Sequence, residues 1–139
     1  MVIDMAEYLL DTDICIALIK NKGGIREKVI EVGRRKCCVS SMTLAELYYG
    51  AAKSERAEHY DDVSFVASIF EVVPIDPSLE RYGRTKWLLE KQGNPLDDFD
   101  LLIGTSAVER GLVMVTHNQR HYLRIPNIQL EDWFSEREA

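Results

Sequence analysis

The chain has 139 residues, with 17 Lys and Arg against 23 Asp and Glu, for a formal net charge of −6. That length suits a single domain spanning 1–139, and 46% hydrophobic with 29% charged residues excludes a disordered or collagen-like chain. The opening MVIDMAEYLL carries Asp4 and Glu7 without a basic start, a poor signal peptide. No apolar run approaches the roughly 20 residues that cross a bilayer, so a cytoplasmic protein without membrane attachment is expected.

Tyr8–Leu10 reads as a short buried strand closed by Asp11, and residues from about Ile14 to Lys20 have helical pattern. Lys22-Gly23-Gly24 is a break, after which Ile25, Val29, Ile30 and Val32 keep helical spacing up to Gly33. Residues 20–36 hold seven cations (Lys20, Lys22, Arg26, Lys28, Arg34, Arg35, Lys36) against Glu27 and Glu31, a local charge of seven minus two, or +5. Such a run is ordinarily a solvated face, and a phosphate contact there would show as salt dependence. Cys37–Val39 is a second strand. With Cys15 the cysteines are odd in number and two are adjacent, which suits reduced core residues rather than disulfides or zinc ligands.

Thr43–Tyr49 reads as a helix ended by Gly50, followed by a polar stretch from Ala52 to Asp62 and a helix over Val63–Phe70. Val72–Ile75 is a third strand, which Pro74 assigns to a strand end or a sheet edge. Pro77 opens a helix running to Gln92, Gly93-Asn94-Pro95 turns the chain, and Asp98–Arg110 is a helix ended by Gly111. Leu112–Thr116 is the most apolar strand, and a last short one lies around Ile128–Leu130 before Trp133-Phe134. This alternation predicts an α/β fold, a mostly parallel sheet flanked by helices.

Open α/β sheets bind ligands outside the carboxyl ends of their strands. Asp11-Thr12-Asp13 and Thr116-His117-Asn118 occupy such ends. Asp11 can cap the following helix or serve chemistry. Glu46, three residues after Thr43, fits a capping box. Asp97, Asp98 and Asp100 crowd one helix start, with Asp97 suited to the N-cap and sharing a face with Asp100 while Asp98 points elsewhere. Asp11, Glu46 and Asp100 thus come from three elements. If they meet, their repulsion calls for a hard cation such as Mg²⁺ or Mn²⁺, which can activate water beside a phosphoryl group.

The remaining motifs are weaker. His117 and His121 lack the Glu of a zincin motif, and His121 is expected to pack beside Tyr122, with His59 at the surface. Tyr48 and Tyr49 could stack RNA bases or pack in the core or at a dimer contact. Trp87 and Trp133 read as core or interface anchors.

Four blocks together resemble the PIN-domain ribonucleases, and most closely the VapC-type toxins of toxin–antitoxin pairs. They are Tyr8-Leu-Leu-Asp11-Thr-Asp13, Ser40 to Gly50 around Glu46, Leu96 to Ala107 around Asp100, and Val113 to Tyr122 with Ile125 to Trp133. The resemblance implies a PIN-like fold and an Mg²⁺-dependent endoribonuclease with Asp11, Glu46 and Asp100 as its acidic core. Asn118 falls where many members have Asp, a further catalytic position, and Thr116 is expected to orient the acids. Thr12, Asp13 and Asp97 stand as supporting residues, Asp13 replacing the Asn common in the family's opening. Gly104 stands where a small alanine is usual. Hydrolysis by water would leave a 5′-phosphate and a 3′-hydroxyl. An RNA substrate, a cognate antitoxin and a homodimer are also implied.

Two rivals share parts of the pattern. Asp11-Thr-Asp13 also fits a haloacid-dehalogenase-like phosphatase, in which Asp11 would be the covalent nucleophile and Asp13 the acid/base. That reading lacks a placed phosphate-binding Lys and leaves Glu46 and Asn118 without a task. A catalytically silent binding module on the same fold is the second. The net charge first argues against nucleic acid, but six of the acids fall in or near the proposed site, so the total does not exclude RNA.

Overall fold

Three strands of only three or four residues open the sheet: β1 (Tyr8–Leu10), β2 (Cys37–Ser40) and β3 (Glu71–Val73), joined later by β4 (Val113–Val115) and β5 (Leu130–Glu131). This computed structural model describes residues 5–135; residues 1–4, including Asp4 of the segment read as a poor signal peptide, and 136–139 lie outside the described residues. The helices are α1 (Thr12–Lys20), α2 (Ile25–Val32), α3 (Ser41–Ser54), α4 (Glu58–Ile69), α5 (Leu79–Lys91), α6 (Asp98–Arg110) and α7 (Gln119–Tyr122). Among the described residues, no helix is long and apolar enough to cross a membrane.

All strand pairs are parallel and the order is β3-β2-β1-β4-β5. Successive residues point to opposite faces. Leu10, Val39 and Val115 enter one core with Ile14 and Val66, while Leu9, Cys38 and Met114 enter the other with Leu101, Ile103 and Ile125. Strands this short make few ladder bonds. Burial on both faces, roughly 1.5–3 kcal/mol for each large apolar side chain, holds the sheet and explains why its strands read as unbroken apolar runs. The chain leaves β1 toward β2 and later returns to its other side as β4. That reversal opens a crevice beyond the carboxyl ends of β1 and β4.

Several elements depart from the sequence reading. Helix α3 passes through Gly50 to Ser54, and Glu55, at φ 58°, caps it in the left-handed region. Glycine weakens a helix interior by only about 1 kcal/mol, and packing of α3 on α4 outweighs it. Helix α4 starts at Glu58, five residues before Val63, because its first turns are mostly exposed and carry no apolar period. A 3₁₀ turn over Asp76–Ser78 precedes α5. Strand β5 falls at Leu130–Glu131, slightly later than expected. Other expectations hold: β3 is an edge strand, and Gly111, at φ 67°, ends α6. The cysteines are free and buried, and burial pushes the Cys37 and Cys38 thiols up to about 12. Trp133 is buried edge-on against Tyr8, but Trp87 is 61% exposed and belongs to no core.

Candidate active site

Asp11 combines the two roles that the sequence set against each other. As N-cap of α1 its Oδ1 accepts the Thr12 N–H at 2.8 Å, while Oδ2 accepts the Thr116 hydroxyl at 2.9 Å. The sheet fixes this geometry, because the Asp11 N–H donates to Val115 O on β4, immediately before Thr116. Burial pushes the Asp11 carboxyl up to about 7, and the Asp13 charge adds to it; the Thr12 and Thr116 donors oppose the shift. A carboxylate in such surroundings needs a proton or a cation.

Asp100 reaches the crevice from the first turn of α6, whose N-cap is Asp97, accepting the Phe99 N–H at 2.8 Å. Its Oδ1 accepts the Tyr122 hydroxyl at 3.0 Å, and its Oδ2 lies 3.3 Å from His121 Nδ1. The same Tyr122 hydroxyl lies 3.2 Å from Asp11 Oδ1 and so links the two acids. Asp98 turns away, taking Lys86 Nζ at 2.9 Å and the Tyr82 hydroxyl at 2.8 Å; those bonds hold its carboxyl below the ordinary range. The three acids at this helix start therefore divide into a cap, a surface ion pair and a member of the cluster.

Glu46 overturns the capping-box reading. Helix α3 is capped by Ser40, whose Oγ accepts the Met42 N–H at 3.0 Å, and Thr43 is buried inside the first turn. Glu46 instead accepts the Thr12 hydroxyl at 2.6 Å, across 34 residues of sequence. Half-buried, its carboxyl is raised by desolvation, held back by Thr12, and raised again by the charges of Asp100 and Asp97. Adjacent Asp11 and Thr12 thus connect the first strand end to both other acids.

Asp13 sits beside this cluster. Its Oδ2 accepts the His117 N–H at 3.0 Å and lies 3.4 Å from Thr116 Oγ1, while its buried Oδ1 has no partner among the described residues. Burial raises its pKa. Asn118 is exposed and brings its backbone rather than its amide to the cluster: its N–H donates to Thr116 Oγ1 at 3.0 Å, and its side chain does not cap α7.

Two aromatic and histidine readings are corrected. His121 is exposed and faces Asp100 instead of packing beside Tyr122, because Tyr122 alone turns into the core. Tyr48 and Tyr49 are 43% and 68% exposed, so neither is a core residue. Sequence reasoning assigned Tyr122 no role at all. The available signal was that a buried tyrosine needs a partner for its hydroxyl, but the acceptors lie 111 and 22 residues away in sequence, which hid them.

No Lys or Arg pairs with Asp11, Asp13, Glu46 or Asp100 among the described residues. The donors are hard oxygens gathered in a poorly compensated negative pocket, which fits Mg²⁺ or Mn²⁺. As they stand, no three His, Cys, Asp or Glu side chains among the described residues could hold an ion. Closing a cage needs side-chain movement, for which half-exposed Glu46 has the freedom.

Residues 8–127 match the PIN domain family. The chain is 40% identical over 133 residues to the tRNA(fMet)-specific endonuclease VapC of Shigella flexneri, covering 93% of this chain and 99% of that protein. It is 35% identical to the ribonuclease VapC2 of Haemophilus influenzae, with the same coverage. The crystal structure of DNA-bound VapBC from Salmonella typhimurium superposes with a TM-score of 0.86 at 39% identity, covering 93% of this chain and 99% of that one. PIN-domain nucleases of this group are in general metal-dependent, in keeping with the donor set, and the phosphatase reading falls away. The chain belongs to the PIN-domain family, among its VapC-type ribonucleases.

Proposed function

We propose that this nuclease is an Mg²⁺-dependent endoribonuclease, the toxin of a toxin–antitoxin pair, working through Asp11, Glu46 and Asp100 as the acids that hold the metal. The observation that carries the reading is their convergence: three elements bring carboxylates to one crevice, with Asp11 raised to about 7 and no described Lys or Arg to neutralise it. Bound there, the cation would supply a Lewis acid for activating water and offsetting charge on the phosphate. Thr116 orients Asp11, Thr12 holds Glu46 within reach, and Asp97 caps the helix that presents Asp100. Asp13 lines the margin, where its carboxyl can adjust the charge met by the substrate, and Asn118 stands beside it with an exposed amide that can hydrogen-bond the substrate.

The VapBC complexes among the structural relatives support a cognate antitoxin as partner. A homodimer, a cytoplasmic location and a single domain over 1–139 complete the proposal. Two relatives at 40% identity are named for tRNA(fMet), which makes initiator tRNA the first substrate to try. The cationic segment 20–36 is partly engaged already: Arg26 bonds Leu18 O and Ile19 O, Arg34 bonds Ile69 O, and Lys28 pairs with Glu31. Phosphate contact there rests mainly on Lys20, Lys22, Arg35 and Lys36.

Incubating the purified protein with initiator tRNA, bulk tRNA and rRNA in Mg²⁺ tests the reading. Wild type should cut one of them, leaving 5′-phosphate and 3′-hydroxyl ends, and stop on chelation. Asp11→Asn should reduce cleavage by more than about a hundredfold. Intact RNA throughout, or full activity in Asp11→Asn, would overturn it.

A further inference from the structure

The three acids leave unexplained a group that touches two of them. We propose that Tyr122 is a positioning residue whose hydroxyl braces the Asp11 and Asp100 carboxylates at a fixed separation, so that they receive a divalent cation together. This rests on the reading of Asp11 and Asp100 as metal-holding acids.

The hydroxyl lies 3.2 Å from Asp11 Oδ1 and 3.0 Å from Asp100 Oδ1, so one proton serves two carboxylate acceptors. A tyrosine hydroxyl is protonated at neutral pH and so stands as the donor to both. The ring has no room to swing away. Tyr122 is 1% exposed, packed in the core with Leu101, Ile103 and Ile125.

Gly104 keeps this packing free of crowding. It lies four residues after Asp100, hence on the same face of α6. A Cβ added there would meet Ile125 Cδ1 at 2.5 Å and the Tyr122 ring, at Cδ1, at 3.3 Å. The glycine lets the ring lie against α6 directly below Asp100, with the hydroxyl extending toward Asp11. A phenylalanine would fill the same apolar space, so the hydroxyl's contribution is to the two carboxylates.

The brace also completes the control of Asp11. Its Oδ1 accepts from Thr12 and Tyr122 and its Oδ2 from Thr116, donors on three separate segments. Outer donors of this kind fix the orientation of ligating groups, and losing one typically costs 10–100-fold in metal affinity.

The test is Mn²⁺ binding by calorimetry to the full chain as wild type, Tyr122→Phe and Asp100→Asn, with metal-free melting curves for each. Tyr122→Phe should bind Mn²⁺ about tenfold more weakly, beyond the lowered melting midpoint that loss of a donor to buried carboxylates brings. A hydroxyl with only a structural role would lower the melting midpoint and leave the affinity unchanged. If Tyr122→Phe is too unstable for calorimetry, the dependence of its midpoint on Mn²⁺ concentration reads the same affinity by mass action. Affinity within twofold of wild type, with Asp100→Asn weakened, overturns the brace alone. Wild type that does not bind Mn²⁺, or Asp100→Asn that binds it equally well, overturns the metal site itself and the brace with it.

Discussion

Asp11 is 6% exposed and takes hydrogen bonds from Thr12, Thr116 and Tyr122, whereas Glu46, across the same crevice, is half-buried and, among the described residues, held by the Thr12 hydroxyl alone. One wall is set by the sheet. Its acid follows β1, the donor Thr116 follows β4, and backbone bonding between those strands locks their register. The other wall projects from the second turn of a helix and answers to a single side chain. The comparison teaches that preorganisation and desolvation come together: the acid held most firmly is also the one pushed furthest from its ordinary pKa. For the metal site proposed here, that division would give a rigid half to locate an ion and a compliant half to close on it.

The largest expected effect comes from removing the charge of the rigid wall. Asp11 has a folded pKa of about 7, above its unfolded value. Its contribution is therefore intact below pH 4 and is lost as pH rises through 7. Metal-free wild type should lose stability on the order of a few kcal/mol between pH 5 and pH 8. Asp11→Asn should flatten much of that slope and melt higher than wild type at pH 8, even though the proposed function expects it to lose cleavage. Urea denaturation across this range checks it; wild type equally stable at both pH values would contradict the burial argument.

Next come the two threonines, which test the walls against each other. Thr116→Val removes a donor to the buried Asp11 and should lower cleavage by roughly 10–100-fold and stability by about 1.5–3 kcal/mol. Thr12→Val frees the more exposed Glu46 and should lower cleavage only severalfold, with less loss of stability. Equal losses in steady-state cleavage and melting would erase the distinction between the walls.

The smallest effect belongs outside the crevice. Asp98 pairs with Lys86 at the surface, so Asp98→Asn should leave cleavage unchanged and the melting midpoint within about one degree. A loss comparable to that of Asp100→Asn would mean that the helix start is not divided as described.

What the sequence made legible follows the range of the physics. Strands β1, β2 and β4 are readable because both their faces are buried, which writes continuous apolar runs into adjacent positions. Helix α6 is readable at both ends because Asp97 and Gly111 cap it locally. The start of α4 is not, since its first turns are mostly exposed and carry no apolar period. Glu46 misleads because Thr43-x-x-Glu46 satisfies a local rule while the true partner, Thr12, lies on another element. Tyr122 is invisible for the same reason: its two acceptors are 111 and 22 residues away. Strand-end and helix-start positions offered the three acids and the family resemblance joined them with Thr116; the structure adds Tyr122 and the Thr12–Glu46 bond.

The most direct measurement is the location of Mn²⁺ by anomalous diffraction from crystals of the full chain soaked in the ion. A peak in contact with both Asp11 and Asp100, with Glu46 turned toward it, is the result the two-walled site predicts. An ion bound elsewhere, or no ion at millimolar Mn²⁺, would contradict it.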